Sequence, residues 1–166
     1  MSGHKPRRVR WAKSPDTLLI AITRAIKPEP ADIEPVHAAM AIAFKALREG
    51  VATEHQWSIL AGSLDVSLAI ERQGVVRGLR GHLDAANEAL QAIAARARLS
   101  TGWKPTVLHY HELDAVSTFM DLYAFQLKQL STREFLEAIE SARGRLHSMG
   151  HQVTIQRASD VRGVAA

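Results

Sequence analysis

The stretch from Thr53 to Gly74 constrains the fold more than any other part of the chain. Thr53 and Gln56 have capping-box spacing, in which the threonine oxygen accepts from the backbone three residues on and the glutamine reaches back to the cap. Behind them Trp57, Leu60, Ala61, Leu64 and Leu68 form a stripe at helical spacing, while Ile59, Val66 and Ile70 place apolar groups on another side. A helix apolar on more than one face must be surrounded by other helices to leave water, so this one is expected at the centre of a bundle. Gly74 is its expected stop.

The other segments repeat the pattern. Val36, Met40, Ala43 and Leu47 mark a helix that Asp32 can cap and Gly50 ends. Leu83, Ala86, Leu90, Ile93 and Ala97 mark another, firm from Leu79 and expected to finish near Gly102. "WKPTVL" reads as an extended connection, because Pro105 biases Lys104 away from the helical region and Val107 is β-branched. Leu113, Val116, Met120, Tyr123, Leu127 and Leu130 follow in heptad spacing. Phe135, Ile139, Ala142, Leu146 and Met149 come next, behind a capping box from Ser131 to Glu134, and the two segments are expected to pair as a helical hairpin. Ser14-Pro15-Asp16 starts a short helix running to about Ile26, before the proline-rich "KPEPADIEP". The expectation is an all-α chain, a single helical-bundle domain of five or six helices over residues 14–150. A flexible basic arm, residues 1–13, precedes it and a loose tail, residues 151–166, follows.

Charge is unevenly placed. Lys5, Arg7, Arg8, Arg10 and Lys13 precede the first acid, Asp16, leaving 16 basic against 17 acidic side chains in residues 14–166. The bundle is therefore nearly neutral and the basic character belongs to the arm. With no cysteine, disulfides, thiolate metal sites and cysteine nucleophiles are excluded. The apolar run after the arm is broken by Thr23 and Arg24 and lacks a small-residue cleavage site, so a signal peptide is not expected. No stretch reaches the roughly 18 uninterrupted apolar residues of a membrane span, and a cytoplasmic location is expected, with no membrane partner.

Three places could carry chemistry. In "LHYHELDAV", residues 108–116, His111-Glu112 imitates the start of a zinc-peptidase helix, but the second histidine required four residues after His111 is Ala115. Read as strand, His109 and His111 share a face, and a third ligand would have to come from His82, Asp114 or elsewhere. The economical reading is mechanical: His109 occupies a cap position and Glu112 is placed to return a hydrogen bond to its N–H. The arm joins Lys5, Arg7, Arg8, Arg10 and Lys13, suited to phosphates, with Trp11, suited to stacking on a base. Arg72, Arg77 and Arg80 lie around Gly74, Gly78 and Gly81, where backbone N–H groups at a helix start could meet an anion, although the spacing matches neither a Walker loop nor a dinucleotide fingerprint. No nucleophile elbow or paired acid and base is present, so no catalytic residue and no cofactor is expected.

At "LREGVATEHQWSILAGSLDVSLAIERQG", "ANEALQAIAARARLSTGW" and "LYAFQLKQLSTREFLEAIE" the chain resembles a group of small helical proteins of proteobacterial phages, plasmids and integrated elements. The likeness rests on the Gly50 to Thr53 turn, Trp57, the Leu99 to Gly102 turn, Gln126-Leu127 and Ser131-Thr132, across roughly residues 40–140. It implies an all-helical accessory protein and transfers no catalytic residue. The leading expectation is a non-enzymatic regulatory protein that binds a protein partner, with faces that would also serve a homodimer. The alternative is nucleic-acid binding through the arm, and the third is a metal-dependent activity at His109 and His111.

Overall fold

The computed structural model describes residues 26–98 and 102–148, which form an all-α bundle of five helices. They are α1 (Pro30–Arg48), α2 (Glu54–Gln73), α3 (Arg80–Ala97), α4 (Tyr110–Gln129) and α5 (Thr132–Ser148). The short helix read from Ser14, the arm with Lys5, Arg7, Arg8, Arg10, Trp11 and Lys13, and the tail 151–166 lie outside the described residues.

Helix α2 is central, as its double-faced apolar pattern requires, and packs against each of the other four. Leu60, Leu64, Val66, Leu68 and Ile70 are all buried on it, with Trp57, Ile59 and Ala61 half-buried. Both halves of its capping box form: Gln56 N–H donates to Thr53 Oγ1 at 3.2 Å and Thr53 N–H to Gln56 Oε1 at 2.9 Å. At the other end Gly74 takes φ +79°, the left-handed conformation that closes the helix. The stripes read for α1 and α3 are buried at every position named.

Some expectations are corrected. Helix α1 begins two residues before Asp32, because Pro30 suits the first helical position, where its missing N–H costs nothing; Asp32 instead places its charge in the first turn. Helix α3 ends at Ala97, with Gly102, at φ +89°, beyond it. Helices α4 and α5 do not pair as a hairpin: α5 packs on α2 and α4 lies chiefly along α3. In the link between them Leu130 is extended (φ −77°, ψ 150°) and Ser131 already caps α5, its N–H donating to Glu134 Oε2 at 2.8 Å and its hydroxyl accepting from the Glu134 N–H at 3.3 Å. On α4 the buried face is centred on Val116, Phe119, Tyr123, Gln126 and Leu127, leaving Leu113 and Met120 half-exposed.

Several polar groups inside the bundle are bonded between elements. Ser67 Oγ donates to Gln126 Oε1, and Gln126 Nε2 donates back to the Ser67 carbonyl at 3.2 Å, joining α2 to α4 where both side chains are fully buried. Trp57 Nε1 donates to the Leu90 carbonyl at 2.9 Å and Trp103 Nε1 to the Ala52 carbonyl at 2.8 Å. Arg98 lies over both indole rings, 5.2 and 5.6 Å from their centroids, and pairs with Glu54 at 2.6 Å. The extended connection after Gly102 is thereby clamped to the start of α2.

Candidate functional site

His109 starts α4 in extended conformation (φ −78°, ψ 155°), and Glu112 Oε2 accepts from its backbone N–H at 2.8 Å. This is the return bond expected from the spacing of the two residues. Glu112 also turns inward. Its side chain is 1% exposed, and Arg96 from the end of α3 donates to both carboxylate oxygens, at 2.5 and 2.6 Å. Burial by itself would raise the Glu112 pKa. The Arg96 hydrogen bond, the His109 N–H and the positive charges of Arg96 and His109 outweigh it and hold the carboxyl below its ordinary value.

His109 and His111 come together at the start of α4. Their rings stack 5.7 Å apart, nearly parallel at 4°, on the exposed first turn. Among the described residues no group of three potential ligands is suited to a metal. His82 could not supply the third: Arg96 marks the level of Glu112, and fourteen residues of helix, about 21 Å, separate His82 from it.

The residue between the histidines is the more informative one. Tyr110 is 85% exposed and forms one wall of a cleft of about 240 Å³, completed by Phe44 and Arg48 from α1 and by Leu113, Asp114 and Ser117 from α4. Val107, 75% exposed, lies against Gly50 in the α1–α2 turn, next to Val51, 58% exposed. The turn after α1, the extended connection and the first turn of α4 thus collect apolar groups at one end of the bundle. Tyr110 sits at the first helical position, just before the chain turns inward at Glu112.

The arginines around the glycine turn are arranged differently from an open anion site. Gly78 and Leu79 donate their N–H groups, at 2.9 and 3.2 Å, to Glu71 Oε1, so a carboxylate from α2 already stands at the start of α3. Arg77 folds back onto the Gly74 carbonyl at 3.1 Å, and Arg80 Nε meets both oxygens of Asp84 at 2.9 Å. Arg72 is lowered in pKa by burial and then by the charges of Arg145 and Arg80, so positive groups from α2, α3 and α5 gather here.

No helix among the described residues is long and apolar enough to cross a membrane. Comparison with protein-family models, with characterised proteins and with solved structures returned no match.

Proposed function

We propose that the chain is a non-enzymatic interaction module that binds a protein partner through the Tyr110 end of the bundle. As the resemblance of its sequence suggests, it would act as an accessory protein of a mobile genetic element. The observation that carries this reading is Tyr110 itself, a large aromatic 85% exposed beside an apolar-walled cleft. Interfaces are anchored by such residues, because a tyrosine offers much contact area for little conformational entropy and a polar tip that bonds at the edge of a pocket. Its surroundings support the role: Phe44 and Leu113 supply apolar walls, and Arg48 and Asp114 put one charge of each sign on the rim.

The test is affinity capture from cells of the native host, scored for protein and for nucleic acid. A partner that binds the wild type and the exposed-surface control Leu136→Ala, but is lost at least about tenfold with Tyr110→Ala, is the expected result; a deletion of about 1.4 kcal/mol in binding corresponds to that factor. Thermal unfolding of Tyr110→Ala should match the wild type, since the residue contributes little to the core. Equal capture by both variants would refute the assignment. Recovery of nucleic acid that disappears when residues 1–13 are removed would support the arm as the functional element instead, with Lys5, Arg7, Arg8, Arg10 and Lys13 on phosphates.

A further inference from the structure

The cleft beside Tyr110 has two walls of like make-up. On α1, Phe44 and Arg48 stand four residues apart and so share one face of the helix; on α4, Tyr110 and Asp114 do the same. Each wall therefore offers one aromatic ring and one charge, and the two charges are opposite in sign. Arg48 and Asp114 are both exposed, and among the described residues neither side chain is bonded to the other or to a third. Arg80, Arg96, Arg98 and Arg133, by contrast, each meet a carboxylate within the bundle.

At about 240 Å³ the cleft is smaller than the roughly 300–1,000 Å³ of pockets that enclose a small-molecule ligand, and it suits a single inserted side chain. The charges say whose side chain that is. A partner surface of one sign would leave either Arg48 or Asp114 facing its own kind, which costs binding energy. A second copy of this chain does not: a two-fold axis at the mouth of the cleft brings Arg48 of each copy to Asp114 of the other, so both contacts form at once. Nor does overall charge keep two bundles apart, since residues 14–166 carry 16 basic against 17 acidic side chains.

We propose that two copies of the chain associate through the Tyr110 end about a two-fold axis, each Tyr110 ring entering the other copy's cleft and each Arg48 pairing with the other copy's Asp114. This rests on the reading of the Tyr110 end as the binding surface and names the partner that surface takes. The exposed apolar groups Tyr110, Val51 and Val107 supply the attraction. The charge pairs, exposed and individually weak, fix the register of the two copies. Reversing one of the charges turns both symmetric contacts from attractive to repulsive, so a single substitution acts twice.

Sedimentation velocity of the full chain over a wide range of concentration tests this. The wild type should pass from monomer to dimer, and Tyr110→Ala, Arg48→Asp and Asp114→Arg should each weaken association at least about tenfold while leaving the melting temperature in place. An equal mixture of Arg48→Asp and Asp114→Arg should dimerise again, because in the mixed pair every acid meets a base. That recovery separates paired charges from a general change in net charge or a loss of folding. A chain that stays monomeric at every concentration would overturn the proposal; if host-cell capture still depended on Tyr110, the binding surface would stand with a different protein as its partner. A dimer indifferent to Tyr110→Ala and to both reversals would overturn it too, since the copies would meet by another face. So would a mixture that remains monomeric.

Discussion

Removing either partner of the Arg96–Glu112 pair should destabilise the bundle, and the two variants should differ in their response to pH. Glu112 is 1% exposed and uses both oxygens on Arg96, while the Arg96 side chain keeps 28% of its surface in water. Breaking a fully buried pair costs about 3–5 kcal/mol, and the partial exposure of Arg96 brings this towards the lower end. Arg96→Met leaves the carboxylate uncompensated and should cost about 3 kcal/mol at pH 7. Glu112→Gln keeps an acceptor for the His109 N–H and should cost about 2 kcal/mol. These losses correspond to falls of about 4–12 °C in melting temperature for a chain of this size.

The pH dependence follows from the sign of the shift. In the wild type the Glu112 carboxyl is held below its ordinary value, so its contribution is complete above the unfolded pKa of about 4.3 and is lost only as pH falls through the lower folded value. Between pH 7 and pH 5 the pair is therefore constant. Without Arg96 the main opposing influence is gone, burial dominates and the carboxyl pKa rises above its unfolded value. The Arg96→Met deficit should then be largest at pH 7 and shrink by about 1 kcal/mol at pH 5, whereas the Glu112→Gln deficit should not change. Urea unfolding followed by tryptophan fluorescence at the two pH values measures both. Deficits under about 0.5 kcal/mol at pH 7, or an Arg96→Met deficit that widens on acidification, would refute the reasoning.

Other substitutions probe the interior and the turns. Ser67→Ala strands the Gln126 carboxamide oxygen and should cost about 1–2 kcal/mol, but Ser67→Ala combined with Gln126→Leu should cost less than the sum of the single changes, because no buried polar group is then left unbonded; simple additivity in thermal unfolding would contradict the paired arrangement. Gly74→Ala should destabilise by about 1 kcal/mol or more, since φ is +79° and an added Cβ would come within 2.8 Å of Arg77 Nη2. Gly81→Ala, where a Cβ meets nothing within 4 Å inside α3, should instead stabilise by up to about 1 kcal/mol, and the opposite signs in parallel melts are the check.

What could be read from the sequence was what neighbouring residues decide among themselves. The Thr53–Gln56 and Ser131–Glu134 boxes, the stop at Gly74 and the buried stripes of α1 and α3 depend on spacings of three and four, and each is found in place. Even the unusual cap at His109 was legible, because Glu112 stands three residues on. Features set by distant residues were not. Nothing near Glu112 reveals that Arg96, sixteen residues earlier, will turn a capping carboxylate into a buried ion pair. Glu71 caps α3 from the preceding helix, and the Ser67–Gln126 pair closes over 59 residues. The heptad reading of α4 missed Phe119 and Gln126 because α4 leans on both α2 and α3, which widens and rotates its buried face.

His109, Tyr110 and Glu112 together explain why the two histidines imitate a metal motif and why the tyrosine between them is so exposed. A helix that begins after His109 sets Tyr110 and Glu112 two positions apart, about 200° around the axis, so a residue anchored inward at Glu112 leaves its neighbour facing outward. The inward anchor is fixed at four points: two bonds to Arg96, one to the His109 N–H, and the ordinary first-turn bond from the Glu112 N–H to the His109 carbonyl at 3.1 Å. Arg96 also reaches the Val107 carbonyl at 3.4 Å, so the apolar residue just before the helix is held by the same guanidinium. A surface tyrosine on a loose loop would lose conformational entropy when it bound. Here the backbone that carries Tyr110 is already held in the first turn of α4 by these bonds, with the side chain 85% exposed. The buried ion pair and the exposed aromatic are therefore two faces of one local arrangement at the start of α4.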